Sequence, residues 1–139
     1  MRVENWESKL HLLLEELVKK EKFVRGKNDC GSFVIESINT ITDKKIQLYK
    51  YKSLKEFKKI LKENKKKSLL DLIEDIAKKY NFKKIDISRT QRGDVVYFID
   101  ETDLDGTVGV CLGENSMFNW KDGVNLISTF KCKYAWRIE

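Results

Sequence analysis

The chain has 139 residues, of which 41% are hydrophobic, 11% aromatic and 36% charged, with a formal net charge of +6. That is enough for one ordinary folded domain with a real core, and it excludes a disordered polymer or two full-sized domains. The positive charge is local: Lys44 to Lys67 holds eleven lysines against Glu56 and Glu63, an excess of nine, which leaves the rest of the chain at −3.

The N-terminus, Met1-Arg2-Val3-Glu4-Asn5-Trp6, carries early acids and no signal-peptide pattern, so the protein is expected to be cytoplasmic at synthesis. No apolar run approaches a membrane span. Residues 5–21 read as an amphipathic helix with Trp6, Leu10, Leu13, Leu14 and Leu17 on one face and the single histidine, His11, at its margin. A polar turn over Arg25 to Asp29 follows. Asn28 or Asp29 is suited to cap a helix running to about Thr40, which places Cys30 in the first turn. Backbone N–H groups and the helix dipole stabilise a thiolate there.

Residues 41–51 show no clear period and are expected to cross the surface. Ser53 caps a predicted helix to about Asn64, with Leu54, Phe57, Ile60 and Leu61 inward. Ser68 caps another, with Leu69, Leu72, Ile73, Ile76 and Tyr80 inward and Asp71 at the third helical position. These lysine-rich helices, about 52–80, are read as a flank or lid. Their charge is nearly all lysine rather than arginine, which suits a solvated face better than phosphate recognition, so nucleic acid is not an expected partner.

From Phe82 the apolar period changes from helical to alternating. Lys84–Ile87, Asp94–Ile99, Thr107–Leu112, Ser116–Trp120, Val124–Ser128 and Tyr134–Ile138 are predicted strands, with Asp103-Leu104-Asp105-Gly106 and Lys121-Asp122-Gly123 as turns. Helices followed by an antiparallel meander make an α+β domain, and no linker or repeat divides residues 1–139. Cys30, Cys111 and Cys132 are odd in number and lack metal-ligand spacing. A reducing compartment is expected, with no zinc site and no cofactor.

Three pieces carry a family resemblance. Asn28-Asp29-Cys30-Gly31-Ser32-Phe33-Val34 resembles the Asp-Cys-Ser-Gly-Phe nucleophile motif of NlpC-type papain-like cysteine peptidases, with Gly and Ser exchanged. Arg92-Gly93-Asp94-Val95-Val96-Tyr97-Phe98 resembles their Gly-Asp-Leu-Val-Phe strand. Thr107-Val108-Gly109-Val110-Cys111-Leu112-Gly113 is similar to their His-Val-Gly-Ile-Tyr-Leu-Gly strand. With Trp6 near the start and Ala135-Trp136-Arg137 near the end, the layout also resembles an uncharacterised phage and prophage tail-associated branch. The resemblance implies a papain-like fold with Cys30 as nucleophile, Thr107 where the family has its general-base histidine, and Asn119 as orienter. It also implies a structural carboxylate at Asp94 bonding turn N–H groups, and phage tail or other virion proteins, or peptidoglycan fragments, as partners.

Threonine cannot accept a proton near neutral pH, so the Cys–His dyad lacks its second member. Three readings follow. A degenerate scaffold would serve binding or tail assembly, with Tyr97, Phe118 and Trp120 as exposed aromatics around the cleft. An active thiol hydrolase would need a base from elsewhere, such as His11, Asp105 or a partner chain. A lysine-driven contact with an anionic surface, nucleic acid or teichoic acid, would show steep salt dependence. Cys111 is read as core, and Cys132 has no motif around it.

Overall fold

A computed structural model of the chain describes residues 1–19, 29–100, 105–120 and 123–139, the side chain of Trp120 excepted. Four helices come first: α1 (Trp6–Lys19), α2 (Cys30–Thr42), α3 (Leu54–Glu63) and α4 (Leu69–Lys79). Six strands follow: β1 (Lys83–Ile85), β2 (Val95–Phe98), β3 (Thr107–Cys111), β4 (Asn115–Trp120), β5 (Gly123–Ser128) and β6 (Tyr134–Arg137). All pairings are antiparallel, so the architecture is the α+β arrangement the periodicity predicts.

The caps account for where the helices begin. Asp29, Ser53 and Ser68 each accept a hydrogen bond from the backbone N–H three residues on, satisfying a donor that the first turn leaves open. Asp71 does not return the Ser68 bond. Its carboxylate accepts instead from the Lys67 N–H at 2.8 Å, one residue before the cap. Asp43, with φ of 61°, ends α2 in the left-handed conformation.

The sheet order is β1-β6-β2-β3-β4-β5. Strands β2 to β5 form the expected meander, whereas β6 returns to lie between β1 and β2. The pleat gives the sheet two apolar faces. Val95, Tyr97, Val108, Val110 and Met117 join the helices in one large core, and Val96, Cys111, Phe118, Cys132 and Ala135 form a smaller cluster.

Several expectations change. Residues 41–51 do not simply cross the surface: α2 continues to Thr42, and Ile41, Ile46 and Tyr51 are buried in the main core. The inward stripes of the lysine-rich helices are core as expected: Phe57, Leu61, Leu69, Leu72 and Ile73 belong to that same core. Their lysines alternate with a sharply apolar stripe, so charge outside and core inside come from one sequence. Strand β1 is shorter than predicted, since Asp86 caps a 3₁₀ turn over Ile87–Arg89. The chain at 101–104 and 121–122, where two turns were expected, lies outside the described residues. Among those described, no helix is long and apolar enough to cross a membrane.

Candidate functional site

The start of α2 is built from a reciprocal cap. The Asp29 carboxylate accepts from the Ser32 N–H at 2.8 Å, and the Asp29 N–H donates to the Ser32 hydroxyl at 3.0 Å. Cys30 is therefore the first residue of the helix. Asn28 lies outside the described residues. The Tyr51 hydroxyl donates to the other Asp29 oxygen, and Tyr51 packs on Phe57 with ring centroids 4.5 Å apart. A Cβ on Gly31 would stand 3.1 Å from Leu48 and 3.7 Å from the Tyr51 hydroxyl. The 48–51 segment thus lies directly across the helix start, and a side chain at position 31 would require Leu48 to shift by a few tenths of an ångström.

Strand β2 approaches from the other side. Burial first, then the charges of Cys30 and Asp105, push the Tyr97 hydroxyl well above its ordinary range, opposed by a hydrogen bond from the Leu70 backbone. Leu70 is in the first turn of α4, so the N-terminal end of that helix reaches the same spot. Cys30 is only 4% exposed. Of four surface cavities of 380 to 540 Å³, the smallest runs along α2 past Ser32 and Leu48, and none has Cys30 in its lining.

The register separates two residues that a dyad would need together. Thr107 stands directly opposite Phe98, and opposed residues share a face. Phe98 packs on the smaller cluster, across the sheet from the core that holds Cys30. Thr107 is fully buried there, and its hydroxyl finds no hydrogen-bond partner among the described residues. Asn119 is buried too, but alternation with Phe118 sends it to the face of Met117, the face of Cys30. Gly109, two residues on from Thr107, is covered by the Phe118 ring, 2.6 Å from where a Cβ would sit. That close approach explains the glycine of Val-Gly-Val.

The other candidates are placed as follows. His11 is exposed on α1 and paired with Glu15 at 2.9 Å. Asp105 is exposed at the start of the β3 hairpin arm and contributes to the field at Tyr97. The expectation that Tyr97 and Phe118 are exposed recognition aromatics is overturned: both are wholly buried, and on opposite faces of the sheet. The Trp120 side chain lies outside the described residues.

Asp94 is a hub. One carboxylate oxygen meets the Arg2 guanidinium at 2.8 Å, the other the Arg137 guanidinium at 3.0 Å, and the backbone N–H groups of Gln91 and Ile138 also donate to it. The turn N–H was expected; the arginines were missed. Arg2 further donates to the carbonyls of Arg92 and Ile138 and lies 4.3 Å from the Trp6 ring. Local sequence carries no signal for this clamp. Tyr97 had one: alternation within β2 sets it on the face of Val95.

Cys111 and Cys132 are buried thiols of the smaller cluster. Burial, reinforced by neighbouring Cys111, pushes the Cys132 thiol up to about 12. Among the described residues no group of three or more His, Cys, Asp or Glu is placed to hold a metal ion. A family model described as "Domain of unknown function (DUF6950)" matches residues 1–138. No curated protein matches the chain.

Proposed function

The chain belongs to this family of unknown function, and we propose that it is a degenerate member of the NlpC-type papain-like scaffold, a non-catalytic binding or assembly protein of the phage or prophage tail class. The observation that carries the reading is the division of the would-be dyad: Cys30 is buried in the main core, near enough to Tyr97 to act on its hydroxyl, while position 107 is a buried threonine facing the opposite cluster. A nucleophile needs an approach path for substrate and a base within hydrogen-bond reach. The helix-start cysteine, the following Gly-Asp strand and the packing of α2 on β3 and β4 support the papain-like ancestry.

The test is alkylation with iodoacetamide across pH, mapped by mass spectrometry. Cys30 is expected to react more slowly than a free thiol in the native protein and to become fully labelled only on denaturation. Native labelling of Cys30 faster than a free thiol, with a plateau below pH 8, would overturn the proposal in favour of a thiol hydrolase acting on a cell-wall peptide or amide. That alternative draws on one feature, the position of Cys30 at a capped helix start, where a thiolate is stabilised.

A further inference from the structure

Helix α3 is the most sharply two-sided of the four described helices. Phe57 and Leu61 are buried in the main core, and Leu54 and Ile60 pack against it. The outer side is lysine. Lys58, Lys59 and Lys62 follow Lys55 at the three-, four- and seven-residue spacings that share one stripe of a helix, and all four are exposed. The stripe runs about 10 Å along the axis. Exposed Lys52 precedes it, and exposed Lys65 and Lys67 follow it.

The fold leaves this stripe unneutralised. Among the described residues none of the four lysines forms an ion pair. Lys66, past the helix end, turns instead to Asp75 at 3.5 Å. Like charges at these spacings repel and weaken a helix, so the buried side of α3 holds it together against its outer side. Glu56 and Glu63, seven residues apart and both exposed, line one flank of the stripe without pairing with it.

We propose that the lysine stripe of α3 is a docking surface for an acidic stripe on a partner protein, a step that rests on the reading of the chain as an assembly protein. The layout of the charge favours a protein over other polyanions. The cationic strip is one helix face wide, and a plane of anionic lipid headgroups would press on Glu56 and Glu63 as well as on the lysines. No large hydrophobic side chain is exposed on α3 to enter a bilayer. The segment from Lys44 to Lys67 has no arginine, and its three aromatic residues, Tyr49, Tyr51 and Phe57, are buried or half-buried. It therefore offers neither the bidentate phosphate grip nor the stacking rings that hold nucleic acid. Carboxylates at helical spacing on a partner match the ammonium groups one for one, and the complementary fields speed the encounter.

Binding of poly-L-glutamate to the full chain, measured by calorimetry, tests this. Affinity is expected to fall at least about tenfold between about 50 and about 200 mM sodium chloride, as salt screens the contact. Lys58→Glu combined with Lys62→Glu is expected to weaken binding at least about tenfold, and the milder Lys58→Gln with Lys62→Gln acts in the same direction. Lys131→Glu combined with Lys133→Glu makes the same change in net charge at exposed positions between β5 and β6. It is expected to weaken binding less than about threefold. Glutamate and glutamine are good helix formers, so unchanged circular dichroism confirms that the α3 variants fold. The proposal is overturned by no binding at the lower salt or by a loss in the 131/133 variant as large as in the 58/62 variant. Tighter binding to a short DNA duplex or to phosphatidylserine vesicles than to polyglutamate overturns it too. Alkylation of Cys30 tests the non-catalytic reading and the paired charge variants test this surface, so the two fail separately.

Discussion

Asp29 and Asp94 are both wholly buried carboxylates at the start of a secondary element, and they are held in opposite ways. Asp29 accepts from the Ser32 N–H three residues on and from the Tyr51 hydroxyl. Asp94 accepts from two guanidiniums that come from the two ends of the chain, besides two backbone N–H groups. One caps a helix; the other closes the fold. Asp94 ties the chain termini to the central strand, so its removal strands two part-buried cations. Removal of Asp29 leaves a phenol and an open helix turn.

The largest expected effect is therefore at Asp94. Asp94→Ala should lower stability by about 3–5 kcal/mol, the range for breaking a buried pair by deleting one partner, read from the urea midpoint at constant m-value. A loss below that of Asp29→Ala would break the comparison. Asp29→Ala should cost about 1–2 kcal/mol for the cap, with about 1–3 kcal/mol more for the stranded Tyr51 hydroxyl. Asp29→Asn should recover much of the cap contribution, because asparagine caps as well as aspartate does.

The two faces of the sheet extend the contrast into alkaline pH. Burial raises the Cys132 thiol on one face and the Tyr97 hydroxyl on the other. Each is an acid whose folded pKa lies above its unfolded value, so the folded state favours the protonated form. The contribution is complete below the unfolded pKa, 9.0 for cysteine, and is lost as the pH rises toward about 12. The melting temperature should fall above pH 9, and Cys132→Ala should flatten that fall relative to its own neutral-pH value. A flat profile in the parent protein would remove this part of the contrast.

The smallest effect is expected at the exposed counterpart of these carboxylates. Glu15 pairs with His11 at 2.9 Å, but both side chains are more than half exposed. Glu15→Ala should change stability by less than about 0.5 kcal/mol. Thermal melts of Asp94→Ala, Asp29→Ala and Glu15→Ala under one buffer condition would rank the three sites directly.

Much of the frame was legible because it is written in short-range patterns. Asp29, Ser53 and Ser68 announce their helices through a side chain that reaches a backbone N–H three residues away. The change to alternating apolar residues after Phe82 announces the sheet, and the same alternation carries enough information to set Tyr97 on the face of Val95. The chemistry around Cys30 was legible only in part. Its place at a capped helix start is local, but its burial in the main core alongside Tyr97 is not.

The sequence by itself determined the order of helices and strands, the cap before Cys30 and the threonine at position 107. Tertiary structure alone decided that Thr107 faces Phe98 rather than the cysteine, that β6 enters the sheet between β1 and β2, and that Arg2 and Arg137 converge on Asp94. Caps and periodicity act within a few residues, where the backbone fixes the geometry. Tyr51 meets Asp29 across 22 residues and Arg2 meets Asp94 across 92. Contacts at that range depend on how the apolar faces of the helices and the sheet pack together, and no local spacing in the chain encodes them.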